Sequence, residues 1–141
     1  MHHNCGHNTI LKKQGNRFAF PHSKPLYMTL IQLALIFSAV SFFMYGIGCF
    51  VSSYMIQEFV RYGIPQFRKL TGWLQLLGAV GILLGIWNIY IQILSTLGLS
   101  LLMFCGLITR IQIKDSFIKT LPALSYCLLN AYISYTLIQS L

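Results

Sequence analysis

The residues with the most obvious chemistry to offer stand at the start of the chain. His2, His3, Cys5 and His7 fall within a single short stretch. A free amino terminus with His3 at the third position can chelate Cu(II) or Ni(II), and imidazole and thiolate suit such metals. Residues 1–25 are polar and basic, with no apolar periodicity to fix a geometry. They read as a loosely ordered tail, and no metal centre is expected. A second candidate pair is Glu58 and Arg61, three residues apart on a helical pattern and so able to pair. An exposed pair of that kind contributes little. A third set lies further on: Tyr62, Phe67, Trp73 and Gln75 could line a quinone pocket, although aromatic residues at a membrane edge act more often as interfacial anchors. Gln75, Asn88 and Asn130 supply the polarity for a solute path, and three carboxamides are too few to build a convincing one.

Much chemistry is missing from the apolar runs. His2, His3, His7 and His22 all precede the first of them, so a haem held between spans is not expected. Cys5, Cys49, Cys105 and Cys127 form no C-x-x-C pair, which argues against a reactive dithiol. The three in apolar runs read as small hydrophobes. No Asp or Glu lies inside an apolar run, where proton and ion carriers usually keep one. Ser38, Ser41, Ser95 and Ser100 have no histidine beside them, and such hydroxyls usually bond back to their own helix. Gly81-x-x-x-Gly85 sits in an apolar helix and cannot cradle a phosphate. No catalytic residue, cofactor or enzyme activity is expected on these grounds.

Composition says what must surround such a chain. Hydrophobic residues make up 56% of it and charged residues 9%, far below the roughly 25% that covers a soluble surface. Its mean hydropathy is +0.68. The outer surface must therefore face lipid. The charges gather in three places: Lys12, Lys13, Arg17 and Lys24; then Glu58, Arg61, Arg68 and Lys69; then Arg110, Lys114, Asp115 and Lys119. The net charge of +8 leaves no basic face for nucleic acid once the apolar runs are in lipid. It reads instead as charge beside anionic head groups.

The runs between the clusters predict an all-α membrane protein, a four-helix transmembrane bundle over residues 26–141. Spans are expected at about 26–52, 70–90, 91–109 and 121–141, each near the length that crosses a hydrocarbon core. The forty uncharged residues 70–109 would overshoot the bilayer as one helix, so a turn is expected near Asn88–Gln92. Residues 53–69 are too charged to span. Met55, Ile56, Phe59 and Val60 recur there at helical spacing and predict a short interfacial amphipathic helix. Gly63 should end it, and Pro65 should keep Ile64 from continuing it. Trp73 and Trp87, fourteen residues apart, are the expected anchors at opposite hydrocarbon edges. Gly72, Gly78, Gly81 and Gly85 should permit close helix approach, as should Gly46 and Gly48 in span 1 and Gly98 and Gly106 in span 3. Pro122 is expected in the first turn of span 4. The loops hold six of the ten Lys and Arg residues and the tail four, which tilts the positive-inside rule towards cytoplasmic loops.

Glu58-Phe59-Val60-Arg61-Tyr62-Gly63-Ile64-Pro65, followed by Leu70-Thr71-Gly72, Gln75-Leu76 and the glycines to Gly85, resembles the DoxX-like family of small four-span membrane proteins. The resemblance covers roughly residues 35–140. It implies a four-helix bundle and a bacterial inner-membrane location. One branch is named from the small subunit of a thiosulfate:quinone oxidoreductase, and others accompany redox enzymes or act as assembly chaperones. The family commonly carries a glutamate where this chain has Gln75, and often a lysine near the position of Cys49. Both are neutral here, which removes any proton or charge-fixing role such a pair would have. The expected function is a non-catalytic accessory or structural membrane subunit, with a membrane-protein partner or a second copy beside it and the lipid bilayer around it. The alternatives are a quinone-interacting redox module and a small-solute carrier.

Overall fold

The computed structural model describes residues 24–141, and the proposed tail ligands His2, His3, Cys5 and His7 lie outside them. The described chain forms five helices: α1 Lys24–Val51, α2 Ser53–Arg61, α3 Phe67–Leu84, α4 Ile89–Gln112 and α5 Phe117–Gln139. No strand occurs among the described residues. Among the described residues, three stretches are long and apolar enough to cross a membrane: Leu26–Val51, Ile89–Gln112 and Phe117–Gln139. The eighteen-residue α3 falls short of that description because Arg68 and Lys69 occupy its first turn and Gln75 its middle.

The first eight described residues, up to Ile31, belong to a separate structural unit from Gln32–Leu141. Within that first unit Leu26–Leu30 are exposed along the opening turns of α1. The larger unit holds the remaining helices and the core.

There the core is thin, as lipid-facing helices require. Leu35, Ala39, Phe42, Ala79, Ile82, Leu99 and Ile133 are buried, whereas Leu77, Trp73, Leu94, Leu101 and Leu128 point outward. Lipid supplies the apolar surroundings that a soluble protein would have to supply itself. Helix contact then depends on close approach and hydrogen bonding.

Several boundaries differ from expectation. The turn between the second and third apolar segments runs over Gly85–Asn88, earlier than Asn88–Gln92. The α3 helix stops at Leu84. Asn88 then caps α4, its side-chain oxygen accepting from the Tyr90 N–H at 3.0 Å. The α5 helix begins at Phe117, so Pro122 falls in its second turn, where it removes one backbone bond instead of sitting harmlessly at the start.

The two turns at the other end are built alike. After α2, Gly63 N–H donates to Val60 O and Ile64 N–H to Phe59 O. After α4, Lys114 N–H donates to Ile111 O and Asp115 N–H to Arg110 O. Both are Schellman closures, which need a left-handed residue just past the helix. Gly63 supplies it at φ 74° and Lys114 at φ 54°. The first was expected from the glycine. The second uses a residue for which that conformation is strained.

A charged clamp and two kinds of helix seam

These two turns bring the chain's only two acidic side chains, Glu58 and Asp115, to one place. Arg61 lies between them. Its Nη2 meets Glu58 Oε2 at 2.7 Å and its Nε meets Oε1 at 3.2 Å. The same guanidinium reaches Asp115, Nη2 to Oδ2 at 3.1 Å and Nη1 to Oδ1 at 3.3 Å. Arg110 Nη1 donates to Asp115 Oδ2 at 3.0 Å and lies 4.0 Å from Glu58 Oε2. Tyr62 completes the cluster. Its hydroxyl donates to Glu58 Oε2 at 2.8 Å, and its ring lies 5.3 and 5.4 Å from the Arg61 and Arg110 guanidiniums, within cation–π range.

The clamp ties the α1–α3 connection to the α4–α5 connection. Glu58 is 7% exposed whereas Arg61 is exposed, so the expectation of an exposed pair holds for the arginine and is corrected for the carboxylate. The guanidiniums and the Tyr62 ring cover it. Hydrogen bonds from Arg61, opposed by burial, hold both carboxyls below their ordinary range. Burial and the bond to Glu58 push the Tyr62 hydroxyl up to about 12, so it remains a donor through the neutral range. Arg68, in the first turn of α3, gives its Nη1 to the carbonyl of Cys49, one of the orphan carbonyls closing α1.

Below the clamp, α5 is fastened by hydrogen bonds. Asn130 is fully buried. Its Oδ1 accepts from Ser38 at 2.9 Å and its Nδ2 donates to Tyr126 O at 2.9 Å. Tyr126 donates to Ser41 at 3.0 Å, and Ser134 Oγ meets Thr96 Oγ1 at 2.7 Å. Ser100 donates to Cys127 O at 3.0 Å. Of the four serines expected to bond to their own helix, Ser95 does so, through Ile91 O. Ser38, Ser41 and Ser100 reach across to α5.

The α3 helix is fastened by glycine. A Cβ at Gly72 would lie 2.7 Å from the Phe50 ring, and one at Gly78 would lie 2.6 Å from Leu99. Gly81 and Gly85 press on Ser95 and Gln92 of the α4 segment, and Gly46 of α1 presses on Leu76. Gly98 and Gly106 do not play this part: a Cβ at either would meet nothing within 4 Å, and the same holds for Gly48. The expectation of close packing at these three is corrected.

The suggested pocket residues are dispersed. Tyr62 is in the clamp. Trp73 is exposed and meets Phe50 edge-on at 5.8 Å. Phe67 is exposed at the start of α3. Gln75 is 5% exposed, and its Oε1 has no hydrogen-bond partner. Trp87 stands exposed in the Gly85–Asn88 turn. A groove of about 480 Å³ lies elsewhere, between α3 and α4, lined by Leu74, Leu77, Gly78, Gly98, Leu101 and Cys105 among others. No group of three or more His, Cys, Asp or Glu residues gathers among the described residues to hold a metal ion.

These features define a helical integral membrane protein with a charged cap on one end of its helices. The family model described as the DoxX-like family matches residues 29–133, and the chain belongs to that family. No curated protein and no solved structure matches it.

Proposed function

We propose that this protein is a non-catalytic accessory or structural subunit of a complex in the bacterial inner membrane, a four-span bundle whose α4 face receives a transmembrane helix of a partner protein. The observation that carries the reading is the position of Gly98 and Gly106. Glycine in a membrane helix matters where another backbone comes close, yet the chain's own helices leave both positions open. The apolar groove beside Gly98 continues the same surface. The buried side chains of Asn130 and Ser134 in α5 bond to Ser38 and Thr96, the Tyr126 hydroxyl bonds to Ser41, and the Cys127 carbonyl accepts from Ser100, which suits a packing role better than a substrate path.

Counting α3 as a fourth span is supported by its length and neighbours. Eighteen residues at 1.5 Å each reach about 27 Å. The helix packs between α1 and α4 and exposes Leu70, Trp73, Leu77, Val80 and Leu84. The clamp joins Arg61, the last residue of the short α2 that follows α1, to Asp115, just after α4. An α3 that returns through the membrane brings those two ends together.

The test is cross-linking in native membranes from a Gly98→Cys variant, with Cys105→Ala removing the neighbouring thiol. A discrete heteromeric adduct is expected, and Gly98→Phe should abolish co-purification while leaving the melting temperature unchanged. Recovery of the protein without a stoichiometric partner across several mild detergents, or as a homo-oligomer alone, would count against the reading.

A further inference from the structure

The clamp has a consequence for the remaining cations on its end of the molecule. Glu58 and Asp115 are the only acidic side chains in the sequence. Arg61 and Arg110 take both, and Arg68 is turned to the Cys49 carbonyl. Lys69, Lys114 and Lys119 are exposed and make no direct ion pair among the described residues. Lys119 lies close enough to Glu58 and Asp115 to help depress both carboxyls, and the sequence holds no further acidic side chain. Lys69 sits in the first turn of α3 and Lys119 in the first turn of α5, and neither turn contains an acid. A helix start already carries partial positive charge, so a lysine there raises the local potential further. Neither helix has a side-chain cap bond at its N-cap residue, Gln66 or Ser116. The missing counter-ion must come from outside the chain.

The amphipathic α2 helix beside this end points to the kind of anion. The α2 helix next to it exposes Tyr54, Ile56 and Val60 while Arg61 and Glu58 on the same helix join the clamp, the arrangement of a helix lying at the lipid–water boundary. We propose that Lys69, Lys114 and Lys119 form a binding surface for the head-group phosphates of anionic phospholipids. The clamp makes the surface: by consuming both acids internally it leaves three lysines whose charge is directed to the membrane.

The experiment uses the full chain in nanodiscs of phosphatidylcholine with a minor fraction of phosphatidylglycerol. Lipids retained after extraction are counted by native mass spectrometry. Phosphatidylglycerol should be enriched over its bulk fraction, and the enrichment should shrink as salt is raised. The triple variant Lys69→Gln/Lys114→Gln/Lys119→Gln should lose about fivefold of it, since each basic residue near the surface contributes appreciably. A Lys12→Gln/Lys13→Gln/Arg17→Gln variant of the tail should lose far less. The single variant Lys114→Gln, with the melting temperature in pure phosphatidylcholine as its folding check, should show a partial loss. Equal enrichment in the triple variant and the parent overturns the proposal. So does a larger loss from the tail variant, or displacement of the lipid by millimolar inorganic phosphate, which would mark a free-anion site.

Discussion

Helices α5 and α3 are held to the rest of the molecule by opposite means. Four cross-contacts of α5 are hydrogen bonds: Asn130 with Ser38, Tyr126 with Ser41, Ser134 with Thr96, Ser100 with Cys127 O. Beyond Arg68 at its first turn, which bonds to the Cys49 carbonyl, the α3 contacts are close approaches at Gly72, Gly78, Gly81 and Gly85, and the buried carboxamide on that helix, Gln75, has an unpaired oxygen. Lipid offers no hydrophobic drive between helices, so each seam uses one of the two remaining sources of attraction, polar bonds or dense packing. The packed seam should tolerate loss of its polar group and fail when volume is added. The bonded seam should do the reverse.

The largest effect is expected from Gly81→Leu. A side chain there collides with Ser95, and overpacking at a helix interface costs about 3 kcal/mol or prevents assembly. Folded yield and melting temperature in mild detergent should both fall sharply, whereas Cys105→Ala, at an exposed position, should match the parent. Equal behaviour of the two variants would break the comparison.

Asn130→Leu comes next. It removes both bonds of the buried carboxamide and strands the Ser38 hydroxyl, at a cost of about 1–2 kcal/mol. Adding Ser38→Ala should recover part of the loss in a double-mutant cycle, because the second change removes the stranded donor. An additive result would show that the pair is not coupled.

The clamp belongs to neither seam and is the only one of the three fastenings that contains carboxylates. Glu58 and Asp115 are held below their ordinary range. A depressed carboxyl contributes stability that is complete above the unfolded-state value and disappears as pH falls through the folded-state value. The melting temperature should therefore be level from neutral pH down to about 5 and then decline below about pH 4. Tyr62, pushed up to about 12, loses its contribution only as pH rises beyond about 10. Arg61→Gln should flatten the acid limb. An acid limb of unchanged depth in that variant would place the titration elsewhere.

Gln75→Leu should be neutral or stabilising by up to about 1 kcal/mol, because it deletes a buried acceptor that nothing satisfies. A clear destabilisation would mean that water or a bound group pairs with Oε1, and the middle of α3 would no longer be held by packing alone.

Much of this arrangement is legible in the sequence because it is local. The charge clusters mark the helix ends, Gly63 marks the α2 turn, and the Met55–Phe59 spacing marks the amphipathic helix. The clamp is half-legible: Glu58 and Arg61 are three apart, but Asp115 is 54 residues from Arg61, beyond the reach of periodicity. One signal is present in the sequence: Asp115 is one of only two acids and lies in the same charge cluster as Arg110. The glycines show the limit in the other direction. Gly81 and Gly98 look alike in an apolar run, and only the placement of α4 decides that one is pressed on a neighbour and the other left open. Asn88, expected to open the turn, instead closes it and caps α4.

Gly63 and Lys114 allow the finest test, because the same Schellman closure is made there by a permissive and by a strained residue. Gly63→Ala should cost about 1 kcal/mol, the penalty for forcing a Cβ into the left-handed region. Lys114→Gly relieves that strain but gives the unfolded chain more freedom, so the net gain should be a few tenths of a kcal/mol. Measured in phosphatidylcholine, where the lysine has no anionic partner, Lys114→Gly should raise the melting temperature slightly. A clear decrease would mean that Lys114 makes a contribution its left-handed turn does not account for. The case for retaining a lysine at a position that suits glycine would then rest on the fold. An increase is the outcome that the proposed lipid-binding role of Lys114 requires.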